Sequence, residues 1–539
     1  MPKSDKCFSS CRHLSKDKCN LPRCSYINGE KHKYCRLTRK YTLSRTKHGH
    51  CITQKREPKQ EAAKRKIGKF MINAHKKMGM EKQRLAQLTK IREAVYGRKL
   101  TRFMHNTTQK RQARFLKATC ADSGVCIAFG QEEQKIKKFF NGFTDFDIVY
   151  GPIQRRGVPS ANGFIHEIAY SKGGYNAYSI LKSCSKTSAD NLYYEYLVGR
   201  YLNTMHNKVP CFVETYGLFT YNNRPCWKWA KEHVEIQPNV FSTLVTKTHH
   251  TIDALRLSCN DSVRISIMTQ HIKNAETLNG RMKHQVAYYA TQSRVLRQEA
   301  EQFVQVHLPA ILFQIYKPLA MLMDTFTHYD LHADNVLLYI PVQNKYIQYH
   351  YHNTGGSITS FKSKYLAKII DYGRSYFKDD SRNVNSKKAQ RAVCNEPVCN
   401  TPVTGMCAEN VGYKWLFPEN PNLSNHFITS WRHNISHDLR LLDILLKNYG
   451  NLISQINPGL MTILQKTIFD EPYGTQEAVG SGLPYYLYNV MDAYMQLQEL
   501  MISPAIVSAS EALYAEAKWN KLGDLHIYSD GRSMEYTPV

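Results

Sequence analysis

The sequence predicts a basic, cysteine-rich and helical N-terminal extension, followed by a region of mixed α+β structure. Residues 1–120 hold 33 Lys and Arg against 7 Asp and Glu, a net 33 − 7 = +26, out of +29 for all 539 residues. Beyond residue 117 the basic runs give way to aromatic and β-branched stretches mixed with glycines, which is typical of sheet. From residue 439 onward long apolar helical stretches dominate, so the C-terminal part is predicted to be mainly α.

The N-terminal extension divides into two parts. Residues 1–52 crowd six cysteines among basic residues, a density that suggests a small module held by metal or disulfides rather than by a core. These cysteines are Cys7, Cys11, Cys19, Cys24, Cys35 and Cys51. Over residues 59–96 apolar residues recur at three- or four-residue steps, which predicts a basic amphipathic helix or helix pair within a linker of residues 53–117.

Three interpretations of residues 1–117 compete. A net charge of this size attracts polyanions, so nucleic acid is a natural partner, bound through a strongly salt-dependent contact. The six cysteines and nearby histidines could bind zinc, although their intervals are not the usual C-x₂-C spacing. Alternatively, the region is a solvated basic helix that keeps the protein soluble.

The cellular compartment is predicted from two features that the sequence does not show, a secretory signal and an apolar stretch that could cross a membrane. Residues 1–10 are polar and charged without an apolar core, so we expect no secretory signal and synthesis in a reducing cytosol. The 15 cysteines would then be thiols or metal ligands. Residues 308–323 form the most apolar stretch, but Lys317 and two prolines interrupt it, so no membrane association is expected.

Residues 118–539 are predicted to begin with strands and to continue with helices. Between residues 312 and 326 apolar residues step by 3, 4, 3 and 4, which predicts a buried helix that delivers the chain directly to His328. The strand patterns occupy residues 164–170, 178–182, 211–220 and 264–268. Further helical patterns occupy residues 441–446, 460–468 and 485–501.

The segment after this helix carries the first chemical motif. Residues 328–335 read His-Tyr-Asp-Leu-His-Ala-Asp-Asn, so Asp330 and Asn335 are 335 − 330 = 5 positions apart. In a phosphoryl-transfer loop an Asp accepts the proton of the substrate hydroxyl, and an Asn oxygen holds Mg²⁺, a hard cation that prefers oxygen ligands. The spacing therefore favours Asp330 as the catalytic base and Asn335 as a metal ligand.

A second motif, Asp371-Tyr-Gly373, ends an apolar strand. Its carboxylate suits a second metal ligand beside the phosphates of a nucleotide, with Mg²⁺ or Mn²⁺ as the cation. The alternative is a buried helix end with capping Asp and Asn residues. The two motifs in this order favour metal-dependent phosphoryl transfer.

Together the HxDxxxxN and D-[FY]-G patterns resemble those of the protein-kinase superfamily. The resemblance implies a bilobal fold, with the N-lobe and hinge over residues 118–275 and the C-lobe over residues 276–539, and ATP between them. Tyr178-Ser-Ile-Leu-Lys182 resembles the family's V-A-I-K strand, so Lys182 would contact the α- and β-phosphates. Glu195, 195 − 182 = 13 residues later, would orient that lysine. The alternative is a surface pair on a hairpin and a helix.

The glycine-rich loop departs from the family pattern. G-x-G-x-x-G-x-V lets backbone N–H groups approach phosphate, but residues 157–165 keep only Gly163 in register, with Ser160 in place of the middle glycine and Ile165 closing the pattern. Weaker nucleotide binding would follow. The resemblance also implies an adenine-binding hinge at Thr269, Gln270 and Ile272.

Other positions inform mechanism. Tyr329 replaces the arginine that many protein kinases carry before the catalytic Asp, so activity should not require activation-loop phosphorylation. His332 stands where a lysine is usual, which is closer to aminoglycoside-phosphotransferase-like kinases. Asp438 follows Ser436-His and resembles the residue that braces the catalytic loop through backbone N–H groups.

Cys394, Cys399 and Cys407 lie in the segment expected to bind substrate. With His426 or His433 they could bind zinc, but the spacing is not a standard one. Free cysteines in a loop are the favoured interpretation.

A narrower resemblance covers roughly residues 110–450. Residues 115–130, 162–164 and 211–217 resemble kinase-like proteins of large cytoplasmic DNA viruses, iridoviruses especially, and residues 11–35 resemble a short two-cysteine adaptor module of iridoviral proteins. This implies an ATP-dependent serine/threonine protein kinase of the host cytoplasm or the virion, acting on an unidentified protein. The alternatives are a non-catalytic kinase-fold scaffold associated with the virion or DNA, and an atypical small-molecule phosphotransferase.

Overall fold

The computed structural model describes residues 16, 24–28, 33–37, 41–45, 51–55, 108–120, 133–157, 159–400, 407–413, 428–469 and 486–538. The chain divides into two compact units, residues 1–94 and 95–539. The first unit contains β1 (Cys24–Asn28), β2 (Lys33–Leu37), β3 (Tyr41–Arg45) and β4 (Cys51–Lys55). These strands pair as two antiparallel ladders, β1 with β2 and β3 with β4. The helix predicted over residues 59–96 lies outside the described residues, as do the side chains of the six N-terminal cysteines.

The second unit is mixed α+β, as predicted, and contains a seven-stranded antiparallel sheet. Its strands are β5 (Ile153–Arg156), β6 (Gly163–Lys172), β7 (Tyr175–Cys184), β8 (Thr215–Tyr221), β9 (Glu235–Ile236), β10 (Val245–Thr248) and β11 (Ile265–Gln270). Their spatial order is β10-β8-β11-β7-β6-β5-β9. The long strands β6 and β7 pair over their whole length, so β7 is held rigidly at the middle of the sheet.

Helices make up most of the remainder. They are α1 (Gln109–Cys120), α2 (Glu133–Phe139), α3 (Leu192–Leu202), α4 (Arg224–Glu232), α5 (Pro238–Leu244), α6 (Ile252–Asn260), α7 (Leu278–Tyr289), α8 (Arg294–Gln302), α9 (Leu308–Met321), α10 (Ser386–Asn395), α11 (Arg440–Ile456), α12 (Pro458–Lys466), α13 (Val490–Ile502) and α14 (Pro504–Glu516). Helix α1 runs across residue 117, where the linker was predicted to end.

The seven-stranded sheet separates two cores. Successive side chains of a strand point to opposite faces, and accordingly Leu218 and Ile267 join a large core with the helices. Their neighbours Phe219 and Met268 face the opposite side, where they share a smaller core with apolar residues of α1 and α2. The alternation explains why these strands are apolar on both faces and why their sequences predict strand so clearly.

Three of the four predicted strands are confirmed closely by β6, β7 and β11. The fourth, predicted over residues 211–220, begins only at Thr215. Upstream of it, Phe212 forms an isolated parallel bridge with Ile369 instead of joining the sheet. The chain therefore changes partner before β8 starts.

The helix predicted over residues 312–326 is α9, and the expectation that it runs directly into His328 is wrong. Helix α9 ends at Met321, and a turn precedes a two-residue strand, β13 (Phe326–Thr327). Leu322 and Phe326 are nevertheless buried, so the apolar spacing continues past the end of the helix. No helix in the described part of the chain is long and apolar enough to cross a membrane.

The described part of the second unit also contains three smaller sheets, and the prediction of a mainly helical part from residue 439 onward missed their last two strands, Asn520–Tyr528 and Glu535–Pro538. One contains β12 (Glu276–Thr277), β14 (Val336–Tyr339) and β17 (Leu366–Ile369), and another joins β13 to β18 (Tyr376–Asp379) and β19 (Val384–Asn385). The third contains β15 (Lys345–His352), β16 (Ile358–Ser363), β20 (Asn520–Tyr528) and β21 (Glu535–Pro538). In it β15 pairs in parallel with β20, so residues 520–528 return to the segment that follows residues 328–335.

Candidate active site

Lys182 on β7 lies between two carboxylates. Its Nζ donates to Oε1 and Oε2 of Glu195, at 3.0 and 2.8 Å, and to Oδ1 of Asp371, at 2.8 Å. The predicted pairing of Lys182 with Glu195 is confirmed. Burial alone would lower the pKa of Lys182, but the Asp371 and Glu195 carboxylates more than offset it and raise the pKa above its usual value. The lysine is therefore charged.

Local sequence brings the two carboxylates to this lysine. Glu195 lies in the first turn of α3, which begins where the side chain of Asn191 accepts a hydrogen bond from the N–H of Tyr193. Asp371 arrives from the end of β17 with a positive φ of 70°. A Cβ on Gly373 would lie 3.3 Å from Cβ of Asp190, which precedes α3, and 3.4 Å from Oε2 of Glu195, so a side chain here would just touch both residues.

Asp438 anchors the loop that carries Asp330. Its Oδ2 accepts from the N–H of His328 at 2.8 Å, and its Oδ1 accepts from the N–H of Tyr329 at 2.9 Å. The predicted bracing role is therefore confirmed. Tyr329 has a φ of 63°, which a bulky residue rarely adopts, so these two bonds hold the loop in a conformation it would otherwise leave.

Replacing Asp438 by asparagine is expected to destabilise the fold by about 2 kcal/mol, because an amide has one acceptor oxygen for two buried N–H donors. The midpoint of urea unfolding measures this loss. Asp443→Asn, in the first turn of the helix that follows Asp438, is the control: Asp443 pairs with Lys447 one turn away at 2.8 Å, a partly exposed contact worth under about 0.5 kcal/mol. Similar losses in both variants would contradict the anchoring role.

Asp330 lies between two arginines that the sequence interpretation missed. Nη1 of Arg440 donates to Oδ1 at 2.7 Å, and Nη1 of Arg374 lies 3.5 Å from Oδ2. Arg374 also bonds Asp190, just before α3, at 2.9 Å. Burial would raise the pKa of Asp330, but Arg374 and Arg440 more than offset it and lower the pKa to about 2. Asp330 is thus ionised at any physiological pH.

The low pKa of Asp330 predicts a pH-dependent stability. Its folded-state value of about 2 lies below the ordinary 3.8, so the unfolded chain binds more protons between these values. The stabilisation is complete above about pH 4 and is lost as the pH falls toward 2. We expect wild type and Asp330→Asn to differ in unfolding free energy by about 2 kcal/mol at pH 7 and by about half as much at pH 3. A difference independent of pH in urea unfolding would contradict this assignment.

Asn335 comes directly before β14, and Asp371 follows β17, the strand that pairs with β14. The N–H of Ile370 donates to the backbone carbonyl of Asn335 at 3.0 Å. The side-chain Nδ2 of Asn335 donates to the carbonyl of Asp330 at 2.9 Å, which leaves the side-chain oxygen as the atom that can hold a cation. Burial lowers the pKa of His328 to about 4, so its neutral ring donates from Nε2 to the carbonyl of Ile370 at 3.0 Å. These bonds tie both motifs into one unit.

The oxygen donors of Asn335 and Asp371 fit a nucleotide-borne cation better than a metal site made of protein alone. Within the described ranges, no group of three or more His, Cys, Asp or Glu side chains could hold a metal. Mg²⁺ commonly takes one or two protein ligands and completes its octahedral shell with water and substrate phosphates. Two oxygen donors are sufficient for that role.

A cavity of about 510 Å³ opens beside Lys182, within the size range of small-molecule sites. Most of the predicted nucleotide-binding residues line it, and they are Ile165, Lys182, Glu195, Thr269, Gln270 and Ile272. Asp371 also lines it. Asp330 and Asn335 do not line it.

Ser160 and Gly163 do not line this cavity. They close a tight turn before β6, in which the N–H of Ser160 donates to the carbonyl of Gly163 at 2.7 Å and Oγ of Ser160 accepts from the N–H of Gly163 at 2.9 Å. A Cβ on Gly163 would lie 2.7 Å from the carbonyl oxygen of Ser183 on β7. Close strand packing therefore requires this glycine, and its contact with phosphate stays a prediction.

The sequence interpretation also missed a charged group at the cavity. Arg156, Glu167 and His271 all line it, and Oε2 of Glu167 accepts from Nε of Arg156 at 2.7 Å and lies 3.0 Å from Nε2 of His271. Burial would raise the pKa of Glu167, but His271 and Arg156 lower it to about 2. Only strand pairing brings these residues together, so no local motif could have indicated them.

The favoured prediction of free thiols at Cys394, Cys399 and Cys407 is wrong. The structure pairs Cys394 with Cys407 and Cys399 with Cys259 on α6 as disulfides, with Cα atoms 5.5 and 4.8 Å apart, within the usual range. The three thiols are therefore not available as zinc ligands. Cys259 is 140 positions from its partner, so spacing alone could not predict this pair.

Comparison with known proteins does not identify the chain. No protein-family model matches it, and no curated protein matches it. An assignment of function therefore depends on the residues and geometry described above.

Proposed function

We propose that this protein is an ATP-dependent phosphotransferase with a bilobal protein-kinase-like fold, which transfers the γ-phosphate of ATP to serine or threonine hydroxyls of proteins. The convergence of Lys182, Glu195 and Asp371 through bonds of 2.8–3.0 Å carries the proposal. Glu195 and Asp371 lie 13 and 189 positions from Lys182, on a helix and a loop. This combination positions nucleotide phosphates in protein kinases.

The proposed lobes follow the sheet and the helices. The seven-stranded sheet with α3 corresponds to the small lobe, and the helices from α7 onward correspond to the large lobe. Adenine would enter the cavity beside Thr269 and Ile272, with the phosphates directed toward Lys182 and Asp371. The two catalytic motifs would lie at the phosphate end.

In the proposed mechanism Lys182, held by Glu195, binds the nucleotide phosphates and fixes the direction of the γ-phosphate. Asp330 orients the acceptor hydroxyl for in-line attack and accepts its proton. Asn335 and Asp371 would hold Mg²⁺, which when bound supplies positive charge against the phosphates. The side chains thus position the acceptor hydroxyl and the nucleotide and neutralise charge on the phosphates, which is most of what phosphoryl transfer requires from a protein.

Arg374 and Arg440 refine the role of Asp330. A carboxylate whose pKa is about 2 is a weak base, so it accepts the proton only once transfer is well advanced. Its main contribution is to orient the hydroxyl. Because Arg374 also bonds Asp190 beside α3, the orientation of Asp330 is linked to the helix that carries Glu195.

We expect phosphatase treatment to change activity less than about twofold. Kinases regulated by activation-loop phosphorylation use an arginine next to the catalytic Asp to bind the phosphate. Here that residue is Tyr329, whose hydroxyl donates to the carbonyl of Arg432 at 2.9 Å and whose ring lies 4.6 Å from that of His437. These contacts hold the loop that carries Asp330 in place without a bound phosphate group. Activity that disappears on dephosphorylation and returns on rephosphorylation would contradict this prediction.

The identity of the acceptor tests the proposal. The full chain would be incubated with [γ-³²P]ATP and Mg²⁺ together with an acidic protein, a basic protein or an aminoglycoside, followed by phosphoamino acid analysis. Label on serine or threonine is expected. Label on the aminoglycoside alone would favour the small-molecule alternative, which has support from His332, whose Nε2 lies 3.9 Å from Oδ1 of Asp330 in the usual place of a lysine.

A further inference from the structure

A second cavity, of about 560 Å³, lies between α9, α13 and the loops that follow β15 and β20. It shares no lining residue with the cavity beside Lys182. The proposed phosphotransfer therefore does not account for it.

Lys317, in the middle of α9, forms part of the wall of this cavity and is 5% exposed. Its Nζ donates to the hydroxyl of Tyr494 at 3.0 Å and lies 4.2 Å from the centre of that ring. The Tyr494 hydroxyl in turn donates to Oδ1 of Asn353 at 2.9 Å. An ammonium has three N–H donors, and the hydrogen bonds of Lys317 to described residues use one of them.

Lys317 has no carboxylate partner among the described residues. Burial lowers its pKa to about 8, and no neighbouring charge contributes to the shift. Asp530 also lines the cavity, but its carboxylate is bonded by Arg532 at 2.8 Å. The remaining charged lining residue is Lys208, a second cation. Because a buried charge is costly unless it is paired, this wall favours a negatively charged ligand.

The other residues that line the cavity indicate which further chemical groups the ligand would carry. Oγ of Ser529 is a buried hydroxyl with no hydrogen-bond partner in the described part of the chain, and it can donate to the same anion. Apolar side chains supply much of the remaining wall, and they are Met205, Val209, Met321, Leu322, Met491 and Met495. Methionine-rich walls adapt to flexible apolar ligands.

We propose that this cavity binds an organic anion with an apolar body, a carboxylate or a phosphate monoester, whose head group pairs with Lys317 and Ser529 while its chain lies against the methionines. The volume is in the range of sites for drug-sized ligands and exceeds what a bare inorganic anion needs. The proposal does not depend on the phosphotransfer reaction.

Calorimetric titration of the full chain with decanoate, decyl phosphate, decan-1-ol and inorganic phosphate tests the proposal. We expect saturable binding of decanoate or decyl phosphate at least about tenfold tighter than that of decan-1-ol, because only the anions pair with the buried ammonium. The preferred anion distinguishes a carboxylate from a phosphate head group. Equal affinity for the anions and the alcohol, or no saturable binding of either anion, would overturn the proposal. Inorganic phosphate binding as tightly as decyl phosphate would overturn the requirement for an apolar body.

Lys317→Met keeps the shape of the side chain and removes its charge. We expect it to weaken binding of the anion about tenfold or more and to leave the alcohol unchanged, whereas Lys283→Met, exposed on α7, should change neither. If Lys317→Met does not fold, Met495→Trp at the 53% exposed rim replaces it and should block the anion by filling the mouth of the cavity. Undiminished anion binding in whichever variant folds would contradict the proposal.

Discussion

Replacing Asp330 by asparagine is expected to lower kcat for phosphate transfer about 10³-fold, within the range for loss of a general base, and to leave KM for ATP nearly unchanged. Asparagine keeps the shape of the side chain but lacks the negative charge that orients the hydroxyl and cannot accept its proton. Asp330 does not line the nucleotide cavity, so ATP binding should persist. Steady-state kinetics with [γ-³²P]ATP and a protein acceptor measure both quantities.

Asp334→Asn in the same loop is the matched control. Its carboxylate accepts from Nδ2 of Asn279 at 2.9 and 3.0 Å, so it contributes to the loop surface and not to the proposed chemistry. We expect kcat within about twofold of wild type. A comparable loss of kcat in both variants would indicate a disturbed loop and would count against Asp330 as the base.

Replacing Lys182 by methionine is expected to lower kcat/KM for ATP by about 10²–10³-fold, the usual effect of removing one charged donor from a developing phosphate charge. It also leaves the Glu195 and Asp371 carboxylates without the cation that they share. Removing one partner of a buried ion pair costs several kcal/mol, but the Lys182 side chain is 22% exposed. We therefore expect a loss of about 2 kcal/mol in urea unfolding.

Lys247→Met is the control for this prediction. Lys247 is exposed on β10, at the edge of the same sheet, and its substitution removes the same charge from the molecule. It should leave kcat/KM and stability close to wild type. If Lys182→Met retained wild-type kcat/KM, the proposed role of this lysine in nucleotide binding would be wrong even though the ion pair exists.

The sequence could predict the parts of the site that lie in short local motifs. The resemblance of Tyr178-Ser-Ile-Leu-Lys182 to the kinase strand motif predicted that Lys182 pairs with Glu195 on the following helix, and this pairing is observed. The role of Asp438 was likewise predicted from a resemblance, and its bonds to the N–H groups of His328 and Tyr329 are observed. The α+β class followed from where strand-like and helix-like stretches fall along the chain.

The features that sequence could not predict depend on distant segments. Arg374 and Arg440 converge on Asp330 from positions 44 and 110 residues away, 374 − 330 and 440 − 330, and nothing in a single chain marks an arginine for that contact. The parallel pairing of β15 with β20 spans a still longer interval.

The helical spacing of apolar residues also led to one wrong prediction, the position at which α9 ends. Phe326 continues the helical spacing of α9 but lies in β13, because burial depends on the core and not on the helix that precedes it.

The most direct test of the central claim is transfer of ³²P from [γ-³²P]ATP to acidic and basic protein substrates by wild type, Asp330→Asn and Asp371→Asn, with and without Mg²⁺. The proposed function predicts labelling by wild type only in the presence of Mg²⁺ and a loss of about 10²-fold or more in both variants. Three proteins that are equally silent, or equally active, would contradict it. Silence of all three would favour the non-catalytic scaffold.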